Sequence, residues 1–237
     1  VSDPLEESRI LYAQQTGFTE AAAGSPDMDF IIWDVGMGAA SNVMAAIREY
    51  ERLCDAGVSL KKLVICSFEN DLDPLRLAVK HPSLFPHIRH VAPAAILASG
   101  SWSSQKYPVE WKLIPGDFPA TMVSAEQPDC IYYDPFSLNT CSSLWSAGTF
   151  SAMHRYCEGR SARLFTYSSS TAVRAALLAA GFYVGKGPGT GPKTETTSAV
   201  TLPCAASCGF ELLGNDWPGR YMRSSSRRIP GLTEEEQ

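Results

Sequence analysis

The chain has 237 residues, of which 45% are hydrophobic and 19% are charged, with 18 Gly and 16 Pro. This composition excludes disordered, collagen-like and coiled-coil proteins, and the length suits one principal α/β domain. The net charge of −5 is uneven, because residues 1–150 carry 10 Lys+Arg against 18 Asp+Glu whereas residues 151–237 carry 10 against 7. A polyanion would therefore meet the second part of the chain.

The N-terminal residues lack a secretory signal, and the longest apolar run is far shorter than the roughly 18 residues that span a bilayer. Cys204 and Cys208 lack a second Cys/His pair at zinc-site spacing, so no metal is predicted. Four of the seven cysteines lie within apolar runs, as reduced and buried thiols do: Cys54, Cys66, Cys130 and Cys157. We expect a cytoplasmic protein without a membrane segment.

An apolar run over residues 29–34 fits a strand that is buried on both faces at the centre of a parallel sheet. Gly36 and Gly38 follow this run, and residues 42–55 then place apolar side chains at helical spacing until Gly57. This order predicts a strand, a glycine loop and a helix.

A second strand is predicted over residues 63–69, and Asp73-Pro74 has the N-cap and first-position proline that open a helix. The pattern then predicts a longer helix over residues 85–99 and a strand over residues 110–114. A second strand and helix unit thus follows the first.

The next apolar run, residues 130–133, predicts a strand that leads into Asp134. Residues 144–156 have a helical pattern, residues 162–167 a strand pattern and residues 171–180 a helical pattern again. Strands that alternate with helices indicate a parallel sheet covered on both sides.

The last part of the chain breaks this alternation. Residues 182–185 and 196–202 read as two strands joined by a Gly/Pro-rich loop, which predicts an antiparallel pair at the sheet edge. The sequence therefore predicts seven strands in a mostly parallel sheet. We expect residues 1–213 to form one domain, with residues 1–28 as an extension packed on it and residues 214–237 as a basic, irregular tail.

Four acidic residues lie at or just beyond the carboxyl ends of predicted strands: Asp34, Glu69, Asp117 and Asp134. In an open parallel sheet, ligands bind beyond the carboxyl ends of the strands, near the point where the strand order reverses. A glycine loop lets the backbone approach a ligand, and an acid after the second strand can accept hydrogen bonds from ribose hydroxyls. The pattern therefore predicts a nucleoside site.

The nucleoside is predicted to lack phosphate. A dinucleotide-binding loop carries a third glycine where the pyrophosphate meets the helix N-terminus, and here that position is Ala40. The acids around the loop repel phosphate and suit a cation. S-adenosylmethionine, with its adenosine and sulfonium charge, satisfies these constraints better than NAD or ATP.

Several runs of the chain match one known pattern: the loop 34–42, Ser67-Phe68-Glu69, Gly116-Asp117, the segment 133–139 with Leu144-Trp145, and stretches of residues 166–184 with the loop 189–193. In these runs the chain resembles the MnmC methyltransferase-domain family, over roughly residues 3–200. That family methylates the aminomethyl group on the wobble uridine of certain transfer RNAs. The resemblance implies the class I, Rossmann-like methyltransferase fold.

The resemblance also implies site residues. Gly36, Gly38, Glu69 and Asp117 would hold S-adenosylmethionine, and Asp134 would be the catalytic acid. Beside the resemblance, we expect Asp34 and Asn42 to bind the cofactor and Phe136, Lys193 and Arg223 to bind the substrate, with a solvated tail as the alternative for the basic residues. The chain departs from the family at Asp34, where Glu is usual, at Ala40, where Gly is usual, and at Thr194, where Arg is common. It lacks the oxidoreductase domain fused to some members, so we expect a stand-alone methyltransferase.

Asp134 suits methyl transfer to an amine, because an acid at the methyl pocket can orient the amine and favour the ammonium that develops. It could instead cap the following helix. Tyr132, Tyr133 and Phe136 could stack on a splayed-out base or belong to the core. Two alternatives to the tRNA enzyme stay open: a methyltransferase of this fold acting on a small-molecule or protein amine, and a non-catalytic nucleoside-binding protein.

Overall fold

The structure is a computed structural model. It describes residues 8, 11–12, 17–136, 141–190, 193–202, 210–225, 227–229, 231–233 and 235. Several residues that carry the predicted resemblance, including 3–7, 137–139, 191 and 192, lie outside these ranges, as do Cys204 and Cys208.

One mixed sheet organises the described chain. Its strands are β1 Asp29–Val35, β2 Lys62–Glu69, β3 Ser101–Ser103, β4 Val109–Pro115, β5 Cys130–Tyr133, β6 Arg163–Thr166, β7 Tyr183–Thr190, β8 Lys193–Val200 and β9 Glu211–Leu212. Their spatial order is β3-β4-β2-β1-β5-β6-β8-β7-β9. Strands β4, β2, β1, β5 and β6 run parallel, whereas the remaining neighbouring pairs are antiparallel.

Helices connect these strands. The α-helices are α1 Phe18–Ala22, α2 Ser41–Asp55, α3 Asp73–Lys80, α4 Val91–Ser99, α5 Phe118–Thr121, α6 Ala147–Tyr156, α7 Thr171–Ala179 and α8 Trp217–Arg223. Short 3-10 turns occupy Pro86–Arg89 and Met122–Ser124.

The core lies on both faces of the sheet. Residues Ile31, Trp33 and Val35 of β1 belong to one buried cluster, and Phe30 and Ile32 belong to another. Side chains alternate along a strand, so β1 is buried on both sides, as its uninterrupted apolar run predicted. The predicted α/β fold with a mostly parallel sheet and an antiparallel edge pair is confirmed.

The strand count differs from the prediction, because the described chain has nine strands rather than seven. The two additional strands, β3 and β9, are three and two residues long and lie at the two edges of the sheet. No residue of β3 or β9 is buried. These two strands therefore lack the apolar run by which the central strands were predicted.

The predicted helix over residues 85–99 is divided. His90 has extended backbone angles (φ −68°, ψ 149°) between the 3-10 turn and α4, and its ring Nδ1 accepts a hydrogen bond from the Ala92 amide at 3.1 Å. Pro86 begins the 3-10 turn. A proline favours the first turn of a helix rather than its interior. This preference explains why the 3-10 turn begins at Pro86 and α4 begins separately.

The Gly/Pro-rich segment predicted as a loop is largely part of the hairpin, whose last described pair is Thr190 with Lys193. Gly187 lies opposite Thr196 there. A Cβ atom on Gly187 would collide with Thr196 Oγ1, so this glycine admits a neighbouring side chain rather than forming a turn.

The tail predicted to be irregular contains α8. Trp217 at its start is buried in the apolar cluster of one sheet face, and its ring stacks on Tyr221 at 5.7 Å between centroids. An aromatic side chain of this size stabilises a short helix by packing. The domain boundary at residue 213 stays a prediction.

Within the described ranges, no helix combines the length and apolar character needed to cross a membrane. No group of three or more His, Cys, Asp and Glu side chains in the part of the chain that the structure describes is arranged to hold a metal ion.

Candidate active site

The strand order reverses between β1 and β5, and the loops after these two strands are in contact. Gly36 follows β1 and has φ +85°, a region that favours glycine. A Cβ atom on Gly36 would lie 2.5 Å from Pro135 Cα and 2.7 Å from the Asp134 carbonyl oxygen. The sequence therefore needs glycine at position 36 for both steric and conformational reasons.

Two pockets flank this contact. The larger pocket has a volume of about 380 Å³ and is lined by Ser8, Leu11, Tyr12, Gly36, Met37, Gly38, Ala39, Ser41, Asn42, Asp134 and Tyr167. The smaller pocket, about 220 Å³, is lined by Val35, Gly36, Gly38, Phe68, Glu69, Asn70, Gly116, Asp117, Phe118, Asp134, Pro135, Phe136, Cys141 and Leu144. Gly36, Gly38 and Asp134 line both pockets, so the two form one continuous site.

Glu69 organises the smaller pocket at the end of β2. Its Oε2 accepts a hydrogen bond from the Gly38 amide at 3.1 Å, and its Oε1 accepts from the amides of Asn70 and Asp71 at 2.9 and 3.0 Å. A carboxylate has about four lone-pair positions, so roughly one acceptor position on Oε2 is left for a ligand. This geometry admits one ribose hydroxyl, whereas the sequence suggested two.

Asp117, which follows β4, also lines the smaller pocket. Its side chain is exposed, and its Oδ1 accepts a hydrogen bond from Asn70 Nδ2 at 3.1 Å. The rings of Phe118 and Phe136 supply apolar walls to the same pocket. An exposed acid beside aromatic walls suits the amine edge and the flat faces of an adenine.

Ala40 ends the glycine loop in a left-handed conformation, with φ +62° and ψ 26°, and is fully buried. It is the one non-glycine residue with positive φ among the described residues. This conformation costs an L-residue about 1–2 kcal/mol. His87 supports the loop, because its Nε2 lies 2.9 Å from the Ala39 carbonyl oxygen.

Asp34 lines neither pocket and is 1% exposed. Its Oδ2 accepts a hydrogen bond from Ser67 Oγ at 2.7 Å, and the Ser67 hydroxyl in turn accepts one from Trp111 Nε1 at 2.8 Å. Asp34 Oδ1 has no hydrogen-bond partner among the described residues. Burial raises the pKa of Asp34 to about 7, opposed by the Ser67 hydrogen bond and reinforced by the nearby carboxylates.

Asp134 lies where the two pockets meet. Burial raises its pKa to about 6, whereas the neighbouring polar side chains of Asn42 and Tyr12 and the positive charge of Lys193 lower the pKa. Asp134 caps no described helix, since α6 begins at Ala147 and is capped by the Ser146 side chain. The contacts of its carboxyl group therefore favour the active-site interpretation over the helix-cap interpretation.

The aromatic residues near Asp134 divide between core and site. Tyr132 and Tyr133 are fully buried and belong to the core, so they offer no face to a base. Phe136 is 56% exposed at the rim of the smaller pocket. Of the three aromatic side chains considered for base stacking, only Phe136 is accessible.

Lys193 extends over Tyr167, a residue of the larger pocket. Its Nζ lies 3.8 Å from the Tyr167 ring centroid and donates a hydrogen bond to the Tyr167 carbonyl oxygen at 2.8 Å. Partial burial lowers the pKa of Lys193, and the Asp134 carboxylate opposes this effect. The amine of Lys193 therefore lies beside a residue of the larger pocket.

Arg223 is exposed at the end of α8 and lines neither pocket. A different arginine of α8, Arg220, lies 3.5 Å from Glu195 of β8. Arg174, 2% exposed, binds the same Glu195 carboxylate at 2.9 Å and also donates to the Thr196 carbonyl oxygen at 2.8 Å. These contacts connect α7 and α8 to the strand that carries Lys193.

The site fits S-adenosylmethionine and disfavours a nucleotide phosphate. The Gly38 amide, which a phosphate would use, already donates to Glu69. Asp117 and Asp134 add negative charge around the pockets, which repels phosphate and attracts a sulfonium cation. The approach of Gly36 to Pro135 leaves no room for a side chain at that position of the loop.

Comparisons with known proteins show similarity to methyltransferases. Residues 92–202 match the profile of a family described as S-adenosyl-L-methionine-dependent methyltransferases. The chain is 28% identical over 218 residues to the tRNA 5-methylaminomethyl-2-thiouridine biosynthesis bifunctional protein MnmC of Polaromonas naphthalenivorans, covering 84% of this chain and 32% of that protein. It is 42% identical to MnmC of Ralstonia nicotianae over 72 residues, covering 30% of this chain and 11% of that protein.

The fold is similar to the crystal structure of MnmC2 from Aquifex aeolicus, with a TM-score of 0.69 and 20% sequence identity, covering 98% of this chain and 70% of that one. The chain spans about a third of the length of the Polaromonas relative. The site and the family match support an S-adenosylmethionine-dependent methyltransferase, and the chain is similar to MnmC proteins in sequence and to MnmC2 in fold.

Proposed function

We propose that this methyltransferase transfers the methyl group to an amine, and that the amine is the aminomethyl group of a tRNA wobble uridine. The observation that carries the proposal is the position of Asp134, whose carboxyl group lies at the junction of the two pockets. The names of the MnmC relatives, which refer to methylaminomethyl-thiouridine in tRNA, support this choice of acceptor.

In this proposal the cofactor spans both pockets. The smaller pocket holds the adenosine, with Glu69 accepting a ribose hydroxyl and Asp117 facing the adenine amine. Gly36 and Gly38, which line both pockets, face the methionine part. When bound, S-adenosylmethionine supplies an electrophilic methyl group on a sulfonium.

The chain's own contribution is to position the amine. Asp134 accepts a hydrogen bond from the amine N–H, directs the nitrogen lone pair, and stabilises the positive charge that develops on nitrogen. This role needs the carboxylate form. With a pKa of about 6, Asp134 is mostly ionised at neutral pH.

Three further residues are proposed RNA contacts. Phe136 is exposed beside Asp134 and offers a ring for base stacking. Lys193 places a cation at the edge of the larger pocket, and Arg223 is an exposed cation on α8. Cations at these positions would neutralise backbone phosphates around the flipped-out uridine.

The test uses tRNA from cells that accumulate the unmethylated aminomethyl uridine. The purified chain is incubated with this tRNA and methyl-labelled S-adenosylmethionine, and the nucleosides are then analysed by mass spectrometry. We expect the label on the aminomethyl group of the wobble uridine. The matched control is the same tRNA with an unmodified wobble uridine, which should acquire no label.

Two results would contradict the proposal. A label on a different nucleoside would assign another position. No label on any nucleoside, from protein that binds the cofactor, would exclude this RNA acceptor and favour a small-molecule amine, a protein amine or a non-catalytic role.

A further inference from the structure

The N-terminal segment contributes side chains to the larger pocket. Tyr12 is 1% exposed, its ring lies 4.7 Å from the Tyr132 ring between centroids, and its carbonyl oxygen accepts a hydrogen bond from the Tyr132 hydroxyl at 2.6 Å. Tyr132 immediately precedes Tyr133 and Asp134 at the end of β5. Tyr12 is therefore fixed against the strand that presents the proposed catalytic acid.

Tyr12 lines the larger pocket together with this acid, and the Asp134 negative charge raises the pKa of the buried Tyr12 hydroxyl. Asn42, in the first turn of α2, lines the same pocket, and its side chain lowers the pKa of Asp134. The Oδ1 of Asn42 accepts a hydrogen bond from Ser8 Oγ at 2.8 Å, which orients its Nδ2 as the donor.

We infer that Tyr12 and Asn42 are positioning residues that donate hydrogen bonds to the Asp134 carboxylate and hold it toward the methyl acceptor, and that Tyr12 thereby completes the active site from before β1. This inference rests on the proposed function for the identity of the acceptor only. It assigns Asn42, which the sequence suggested as a cofactor ligand, to the acid instead.

The hydrogen bonds should also set the ionisation of Asp134. Three titratable groups interact with Asp134: Tyr12 from the N-terminal segment, Lys193 from β8 and Asp34 from β1. Lys193 and the inferred hydrogen bonds favour the carboxylate, whereas burial favours the neutral acid. Loss of the Tyr12 hydroxyl therefore raises the pKa of Asp134.

The test is Tyr12→Phe, which keeps the ring against Tyr132 and removes only the hydroxyl. Infrared difference spectra across a pH titration report the carboxyl stretch of Asp134, which is assigned by its loss in Asp134→Asn. We expect the midpoint of this titration to rise by about one pH unit in Tyr12→Phe, the size of one hydrogen bond to a charged group. An unchanged midpoint would overturn the inference.

Turnover gives the second readout. We expect Tyr12→Phe to lower kcat roughly ten- to hundredfold and to move the acid limb of the pH profile upward, with the cofactor Kd unchanged. The matched control is Tyr50→Phe, which removes a hydroxyl bonded to the Lys61 carbonyl oxygen at 2.6 Å, outside both pockets. The control should move neither the titration nor the pH profile.

The infrared result does not depend on the acceptor. A raised midpoint in Tyr12→Phe, together with an unlabelled tRNA, would support the positioning role while contradicting the proposed function. A labelled tRNA, with midpoint and turnover unchanged in Tyr12→Phe, would support the proposed function and contradict the positioning role. Should Tyr12→Phe fail to fold, Asn42→Ala tests the same effect on the Asp134 titration, and an unmoved midpoint there would overturn the inference.

Discussion

Gly36 and Pro135 bring the loops after β1 and β5 into direct backbone contact, with only 2.5 Å between an added Cβ on Gly36 and the Pro135 Cα. This contact joins the cofactor loop to the segment that carries Asp134. The position of the proposed catalytic acid relative to the cofactor therefore depends on a residue without a side chain.

Gly36→Ala should abolish measurable S-adenosylmethionine binding, because the new methyl group must displace the backbone of Pro135. The matched control is Gly57→Ala, since Gly57 has a similar φ of +78° and nothing within 4 Å of an added Cβ. Both variants should lose about 1–2 kcal/mol of stability from the strained φ. Calorimetry should show normal cofactor affinity for the control only, and near-normal affinity in Gly36→Ala would contradict this account of the loop.

Glu69→Ala should weaken cofactor binding by about 1–3 kcal/mol, because it removes a charged acceptor and releases the Gly38 amide from its partner. Glu110→Ala is the control: Glu110 forms an ion pair with Lys62 at 2.6 Å and lines neither pocket. Titration calorimetry with S-adenosylhomocysteine measures both variants. Equal affinities in the two variants would show that another residue holds the ribose.

Asp34 should make the protein less stable as the pH rises toward neutrality. Its pKa is about 7 in the folded state against 3.8 ordinarily, so the folded state retains a proton that the unfolded state has released. Between pH 5 and 7 the wild type should lose about 2–3 kcal/mol of unfolding free energy more than Asp34→Asn. Asp55→Asn is the control, because the pKa of Asp55 is lowered and the group is ionised throughout this range.

Urea unfolding at each pH measures this difference. Parallel pH curves for the wild type and Asp34→Asn would show that Asp34 is ionised in the folded state as it is in the unfolded state.

Lys193→Met and Arg223→Met should each reduce the slope of log affinity for tRNA against log salt by about one, the effect of losing one phosphate contact. Methionine keeps the apolar stem that packs on Tyr167 in the case of Lys193. Lys106→Met is the control, because Lys106 is bound to Asp55 away from both pockets. Filter binding over a salt series gives the slopes, and a variant whose slope equals that of the control does not contact the RNA.

The central strands could be predicted because strands that are buried on both faces consist of uninterrupted apolar runs. The acids of the site could be predicted because the ends of parallel strands converge at one edge of the sheet. Glu69 ends β2, Asp117 and Asp134 follow β4 and β5, and all three line the same pocket.

The remaining contacts of the site have no local signature. The hydrogen bond between Tyr132 and Tyr12 joins residues 120 positions apart, so no periodicity connects them. Tyr167 and His87 resemble ordinary strand-end and loop residues in the sequence. Their functional positions follow from how the N-terminal segment and the 3-10 turn pack against the glycine loop.

Methyl transfer at Asp134 is tested most directly by Asp134→Asn in the labelled-methyl assay on tRNA bearing the aminomethyl uridine. Asparagine keeps the shape of the side chain and removes its charge, so cofactor affinity and Tm should stay close to wild type. Turnover should fall on the order of a hundredfold or more, the range for a positioned acid–base or electrostatic group. Near-normal turnover in Asp134→Asn would contradict the account and remove this carboxylate from the reaction.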